Sequence, residues 1–426
     1  MSSTSLGKSI LSTDLAQSRI LLSRVSTTSS VMPVTIHFTQ ISMLALTADK
    51  LFTPDGTIER PLVLIDRGKV AEISSFSARA LPPGSSLRSF DGAAIVPGYI
   101  DLHIHGAAGF DLMSGSTDAF SLIEQMLARH GVTSYLPTTI TAPMDRTLTS
   151  LELLADLIEQ PAEKREGRAQ AVGIHIEGPF LSHRRRGVHP PENLLPPRIQ
   201  TFERFWEASR GNIRMMTIAP ELEGAEELIA EAARRGVCVS VGHSDADVEA
   251  TERGIAHGAR HATHTFNAMR PLEHRSPGIL GTVLTDKRLS ADIIADGVHV
   301  DPSIVRMFAT LKGPDNTVLI TDGLSATGMP DGHYHLGSLD VEVKDGRCIA
   351  NGVLAGSVLT MDRAVRNLAA FAEWPISKAV ATASRNPARV ADLKGKGVLA
   401  PGSDADIVIL NAAGEVLQTF IGGIEA

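Results

Sequence analysis

The chain has 426 residues, 43% hydrophobic and 21% charged, enough for one large domain plus a smaller companion and incompatible with a disordered or fibrous protein. Forty Lys and Arg stand against 48 Asp and Glu, a formal charge of -8 with no long single-sign block. That balance excludes a broad nucleic-acid or membrane-surface footprint and points to a small-molecule ligand.

Residues 1–42 differ from the rest, with 11 Ser and 6 Thr and with Lys8, Arg19 and Arg24 against a single Asp14. Such a segment builds no core; it reads as a disordered tail, an over-extended start upstream of Met43, or a transit-like targeting segment. The uncharged stretch at 25–48 is too rich in Ser and Thr to span a bilayer, and no other run approaches the ~20 apolar residues required, so no membrane partner is expected. The chain holds two cysteines, Cys238 in an apolar run and Cys348. A disulfide framework is not expected, and a reducing, cytoplasmic setting is.

From Met43 the pattern becomes regular. Residues 62–65 and 69–73, broken by Asp66, Arg67 and Gly68, read as short strands joined by a tight turn within a small β-domain covering 43–95. Strand-like runs then alternate with helical patterns, at 96–105, 132–139, 171–177, 213–219, 237–243, 260–264, 291–295 and 318–322. Helices are expected at 117–130, 223–235 and 245–257, the last with a capping box of Ser244 and Asp247. Eight strands over this length match an α/β fold of the (β/α)8 TIM-barrel type, typically about 250 residues, placed here at 96–390. An open doubly wound sheet is the alternative, but His105-Gly106-Ala107-Ala108-Gly109 lacks the G-x-G-x-x-G order of dinucleotide binding. Short strands return at 391–426, and the two ends are expected to form one small β-sandwich domain.

The chemistry lies at the strand ends. Asp101, His103 and His105 alternate with Ile100, Leu102 and Ile104, so the three polar side chains share one face, with the imidazoles about 7 Å apart along the backbone. Glu177 ends the third strand, His243 the fifth, His264 the sixth and Asp322 the eighth. In a TIM barrel these ends converge on one mouth, so residues far apart in sequence share a pocket. Histidine and carboxylate ligands without thiolates suit a divalent metal, Zn²⁺ foremost, with Fe²⁺, Mn²⁺ or Co²⁺ as alternatives. Arg184, Arg185 and Arg186 after the third strand would attract an anion at that mouth.

Val96-Pro97-Gly98-Tyr99-Ile100-Asp101-Leu102-His103-Ile104-His105-Gly106 resembles the first-strand signature of the amidohydrolase superfamily, whose metal-dependent barrels carry a small β-domain built from both termini. More narrowly, His175-Ile-Glu-Gly-Pro-Phe, Gly187-Val-His189, Gly242-His-Ser-Asp-Ala, Thr263-His-Thr-Phe-Asn-Ala-Met, Ala295-Asp-Gly-Val-His299 and Thr321-Asp-Gly are similar to the N-acetylglucosamine-6-phosphate deacetylase family. The resemblance covers residues 43–426. It implies that Glu177, His243 and His264 hold the catalytic metal, that Asp322 is the general base and that His103 and His105 help hold a second ion. It implies that His189 points at the acetyl oxygen, that Asn267, Ala268 and Arg275 contact the phosphate, and that His299 contacts the sugar or its phosphate. The implied reaction releases acetate and D-glucosamine 6-phosphate, and the implied assembly is a homodimer in which a neighbouring subunit helps complete the phosphate site. Deacetylation of another amino-sugar phosphate, such as N-acetylgalactosamine 6-phosphate, is the nearest competing expectation. A different amidohydrolase reaction or a non-catalytic scaffold are further ones.

Overall fold

The structure, a computed structural model, describes residues 43–53, 56–77, 81–161 and 166–426. The Ser-rich segment at 1–42 and its targeting reading lie outside them. Eight parallel strands occur at Tyr99–Ile104, Val132–Thr139, Ile174–Glu177, Ile213–Ile218, Cys238–Val241, His261–Ala262, Ala291–Ile293 and Thr317–Leu319. The first six ladder in sequence order within one curled sheet, and the last two pair with each other. Backbone hydrogen bonds join the two sets at both edges: Ala262 N donates to Ser290 O (3.0 Å) and Thr265 N to Asp292 O (3.0 Å), while Asp322 N donates to His103 O (2.9 Å) and His105 N to Gly323 O (2.7 Å). The result is a TIM-like barrel of parallel strands.

A helix follows each strand, at Thr117–Arg129, Met144–Ile158, Ile199–Ala208, Ala225–Arg234, Val248–His257, Gly278–Thr285, Pro302–Lys312 and Met361–Ala372. The first shows why. Ser116 caps it by accepting from Ala119 N, Asp118 sits in the first turn and Arg129 in the last, and Phe120, Ile123 and Leu127 bury one face. The fifth helix corrects the sequence reading. Its cap is Asp247, which accepts from Ala250 N at 2.8 Å, because the Ser244 hydroxyl is turned to Glu221 and the Ala246 N–H instead.

Strands from both ends share one eight-stranded sheet: Leu44–Thr53, Gly56–Glu59, Pro61–Asp66, Lys69–Ser75 and Ser86–Pro97 with Ile407–Leu410, Val416–Ile421 and Ile424–Glu425. The strand Ser86–Pro97 joins the two halves, parallel to Leu44–Thr53 and antiparallel to Ile407–Leu410. The expected turn is present, with Arg67 and Gly68 both left-handed (φ 49° and 76°), the twist a tight hairpin requires. Leu46, Leu51, Val63, Ile95, Ile407 and Phe420 form the sheet's apolar cluster.

An element without a sequence expectation stands between the eighth strand and its helix. Gly332–Leu336, Leu339–Lys344, Arg347–Ala350 and Val353–Leu354 form a four-stranded antiparallel sheet. It packs Leu336, Val341, Val343 and Cys348 against Met113, Ile140 and Leu324. Cys238 and Cys348 are both buried and unpaired, as expected of free thiols. No described helix is long and apolar enough to cross a membrane.

Candidate metal centre and active site

Six of the predicted residues converge at the C-terminal ends of the strands. Glu177 is at the centre: its Oε1 lies 3.0 Å from His264 Nε2, 3.1 Å from His243 Nε2 and 3.4 Å from His103 Nε2, and its Oε2 lies 3.2 Å from His105 Nε2. Asp322 Oδ1 is 3.3 Å from His105 Nε2 and 3.5 Å from His103 Nε2. Two ligand triplets therefore share Glu177, one with His103 and His105 and one with His243 and His264, and either can hold a metal ion.

The donor set fits such an ion. His243 Nε2 faces His264 Nε2 at 3.0 Å and His103 Nε2 faces His105 Nε2 at 3.2 Å, contacts that repel as bare lone pairs. Around a cation with bonds of about 2.0–2.1 Å, neighbouring ligand atoms fall about 3.0–3.4 Å apart, so the spacing suits a shared centre. His105 Nδ1 lies 3.2 Å from Thr138 O and His243 Nδ1 2.9 Å from Arg185 O. A carbonyl can only accept, so both rings carry hydrogen on Nδ1 and leave the Nε2 lone pair to a metal.

Local backbone geometry aims these groups. His243, His264 and Asp322 lie just past their strands with left-handed φ of 47°, 30° and 49°, conformations that a side chain pays to adopt and that cluster at functional sites. Asp292 on the seventh strand accepts from the backbone N–H of His264, and its other oxygen lies 3.1 Å from His261 Nε2. Gly187 beside the cluster has φ 58°, and a Cβ there would stand 3.3 Å from His243 Cε1.

Burial disfavours charge throughout the cluster, and the carboxylates reverse it selectively. Against that penalty, and with no cation competing for the Nε2 lone pairs, Asp322 and Glu177 raise His105 to about 10, and Glu177, Asp322 and Asp292 raise His264 to about 9. Burial prevails at His243, lowered to about 4. Glu177 is held well below the usual carboxylate range by His103, His105 and His189, and Asp322 is lowered to about 2 by His103 and His105, each against the cost of burial. Asp322 is thus held as an ionised carboxylate at the edge of the cluster.

The cluster opens into a cavity of about 310 Å³ lined by His189, Arg184, Arg185, Asn267 and His299 as polar groups and by Ala268, Ile140, Leu336, Val353 and Leu354 as apolar ones. His189 Nε2 is 3.5 Å from Glu177 Oε2, and His299 Nδ1 is 2.7 Å from Asp296 Oδ2. Arg184 and Arg185 share Asp245 at 3.2 and 2.8 Å, so the basic run is partly neutralised at the mouth. Arg275 is not brought to this cavity; it is exposed on the tight turn spanning Glu273 and Ser276.

Sequence reasoning missed Asp292, Thr141 against His189, and the covering residues 336 and 353–354. Only the last had a local signal, the hairpin turns of the inserted sheet.

Comparison with known proteins agrees with this geometry. A sequence model of the amidohydrolase family matches residues 94–425. The chain is 35% identical over 369 residues to N-acetylglucosamine-6-phosphate deacetylase of Lysinibacillus sphaericus, covering 86% of this chain and 94% of that one. It is 36% identical over 380 residues to N-acetylgalactosamine-6-phosphate deacetylase of Escherichia coli O157:H7, covering 89% and 98%. The crystal structure of N-acetyl-D-glucosamine-6-phosphate deacetylase from Mycobacterium smegmatis superposes with a TM-score of 0.83 at 34% identity, over 90% of this chain and 100% of that one. The chain belongs to the amidohydrolase family.

Proposed function

We propose that the chain hydrolyses the acetamide of N-acetyl-D-glucosamine 6-phosphate to D-glucosamine 6-phosphate and acetate, a step of amino-sugar breakdown and cell-wall or chitin sugar recycling. The observation that carries this is the pair of His/Glu triplets meeting at Glu177 with Asp322 beside them, at the floor of one cavity. Glu177, His243 and His264 would hold the catalytic ion, with His103 and His105 available for a second. Zn²⁺ suits the donors best, ahead of Fe²⁺, Mn²⁺ or Co²⁺. Such an ion, when bound, supplies a Lewis acid that lowers the pKa of water towards about 7.

The chain's own groups do the rest. The Asp322 carboxylate takes a proton from the attacking water as its oxygen adds to the acetyl carbon. His189 donates from Nε2 to the carbonyl oxygen as charge develops there. Asp322 then returns the proton to the sugar nitrogen, the C–N bond breaks, and acetate and the amine leave. Arg184, Arg185, Asn267 and Ala268 offer charge and donors to the phosphate, and His299 meets the sugar or its phosphate. Ile140, Leu336, Val353 and Leu354 keep bulk water from the reacting carbon. Arg275 would serve the phosphate of a neighbouring subunit, and a homodimer would cover the exposed Leu272, Met307 and Leu311 in the groove near that turn. The eight strands are read as a closed (β/α)8 barrel at 96–390 and the terminal segments 43–95 and 391–426 as a small β-sandwich, in a cytoplasmic enzyme.

The test is acetate release from N-acetylglucosamine 6-phosphate by the protein as isolated, after chelation, and after adding back single divalent metals. Turnover should vanish on chelation and return with metal. Silence with every metal in a folded protein would overturn the assignment. The Escherichia coli relative favours a second reading, deacetylation of N-acetylgalactosamine 6-phosphate, and the ratio of kcat/KM on the two epimers decides between them.

A further inference from the structure

We propose that Thr141 is a positioning residue that fixes which nitrogen of His189 carries the proton, so that an N–H rather than a lone pair faces the reacting carbonyl. The inference rests on the hydrolytic reading above and adds a residue to it. Thr141 N lies 3.3 Å from His189 Nδ1, and Thr141 Oγ1 lies 2.7 Å from the same atom. A backbone N–H can only donate, so Nδ1 must accept; hydrogen on Nδ1 would set two donors against each other and leave a buried N–H unmet. With Nδ1 accepting, the rotatable hydroxyl points its hydrogen at the same nitrogen, whose one lone pair the two donors share. The ring hydrogen is then on Nε2, the atom that stands over Glu177 in the cavity.

Two further observations support a built device. Thr141 and His189 are 4% and 3% exposed, and Thr141 encloses Nδ1 on the side away from the cavity, so water does not compete for that nitrogen. Gly178 directly follows the ligand Glu177, and a Cβ there would stand 2.1 Å from Thr141 Oγ1. Gly178 also has a left-handed φ of 83°, so the backbone alone calls for glycine there, and its bareness leaves the hydroxyl room. With the opposite tautomer, a lone pair would face an oxygen gaining negative charge, and the stabilisation of that charge would be lost.

The experiment uses metal-loaded enzyme and N-acetylglucosamine 6-phosphate. Thr141→Val keeps the shape and the backbone N–H but deletes the hydroxyl; kcat should fall about tenfold, with KM within about twofold, and Thr141→Ser should restore it. Nitrogen-15 spectra of histidine-labelled, zinc-loaded protein, with the His189 signals assigned by a His189→Gln variant, should show Nε2 protonated and Nδ1 bare. The Val variant should lose part of that preference. A wild-type ring protonated on Nδ1, or an unchanged kcat in Thr141→Val, overturns the proposal. If wild-type protein releases no acetate, the deacetylase reading fails, while the spectra still decide the tautomer.

Discussion

Asp322 and Glu177 are neighbouring carboxylates in one buried cluster, and the proposed mechanism gives them different duties. Glu177 touches His103, His105, His243 and His264 within 3.4 Å, which ties both of its oxygens to ligand positions. Asp322 has contacts to His103 and His105 and is 9% exposed, with the cavity beside it. Its carboxylate is therefore the one free to meet water. Asp322→Asn preserves size and removes the proton acceptor, so kcat should fall by about 10²–10⁴ while metal content, read by elemental analysis, stays at the wild-type level. Loss of metal together with activity would make Asp322 a ligand first and a base second.

At the scale of elements, the barrel mouth is completed by a sheet that the strand-and-helix rhythm did not anticipate. Its signals were present. Asp345-Gly346 and Asn351-Gly352 are two-residue turns with φ of 50° and 74°, and 50° and 77°, and the buried Val341 and Val343 alternate with exposed neighbours. A count of eight strands already satisfied the barrel, so these residues passed as connection. The eight strands and the site residues at their ends were legible because backbone periodicity and strand termini are local properties. Thr141 and Asp292 were not, since they act on His189 and His264 from 48 and 28 residues away. Val341 is fully buried under the cover and does not line the cavity. Val341→Asp places an unpaired carboxylate there, at a cost of several kcal/mol, and should loosen the sheet without touching substrate. KM should rise severalfold, with proteolytic nicking confined to 332–354; an unchanged KM would show that the cover plays no part in binding.

Across residues 43–426, the strand order leaves the first and last barrel units side by side, and their junction is held by polar groups distant in sequence. Thr321 Oγ1, two residues past the end of strand eight, donates to Asp101 Oδ2 in strand one at 2.5 Å. Asp101 shared a face with His103 and His105 in the sequence pattern, yet only the fold reveals it as a clamp. Outside the strands, Asp362 in the first turn of Met361–Ala372 lies 2.9 Å from His130 Nδ1 at the end of the first helix and 2.9 Å from Arg366. Burial opposes ionisation of Asp362, but His130, Thr360 and Arg366 together hold its carboxyl below the usual carboxylate range. A carboxyl whose folded pKa is depressed contributes stability above its unfolded value of about 3.9 and loses it as pH falls towards the folded one. Asp362→Asn should therefore melt a few degrees below wild type at pH 7. As pH falls from about 5 to 3, wild type surrenders this advantage and the variant has none to lose, so the gap in Tm should narrow. A gap that is the same at pH 7 and pH 3 would mean that Asp362 stabilises the junction through shape alone, with its charge contributing nothing.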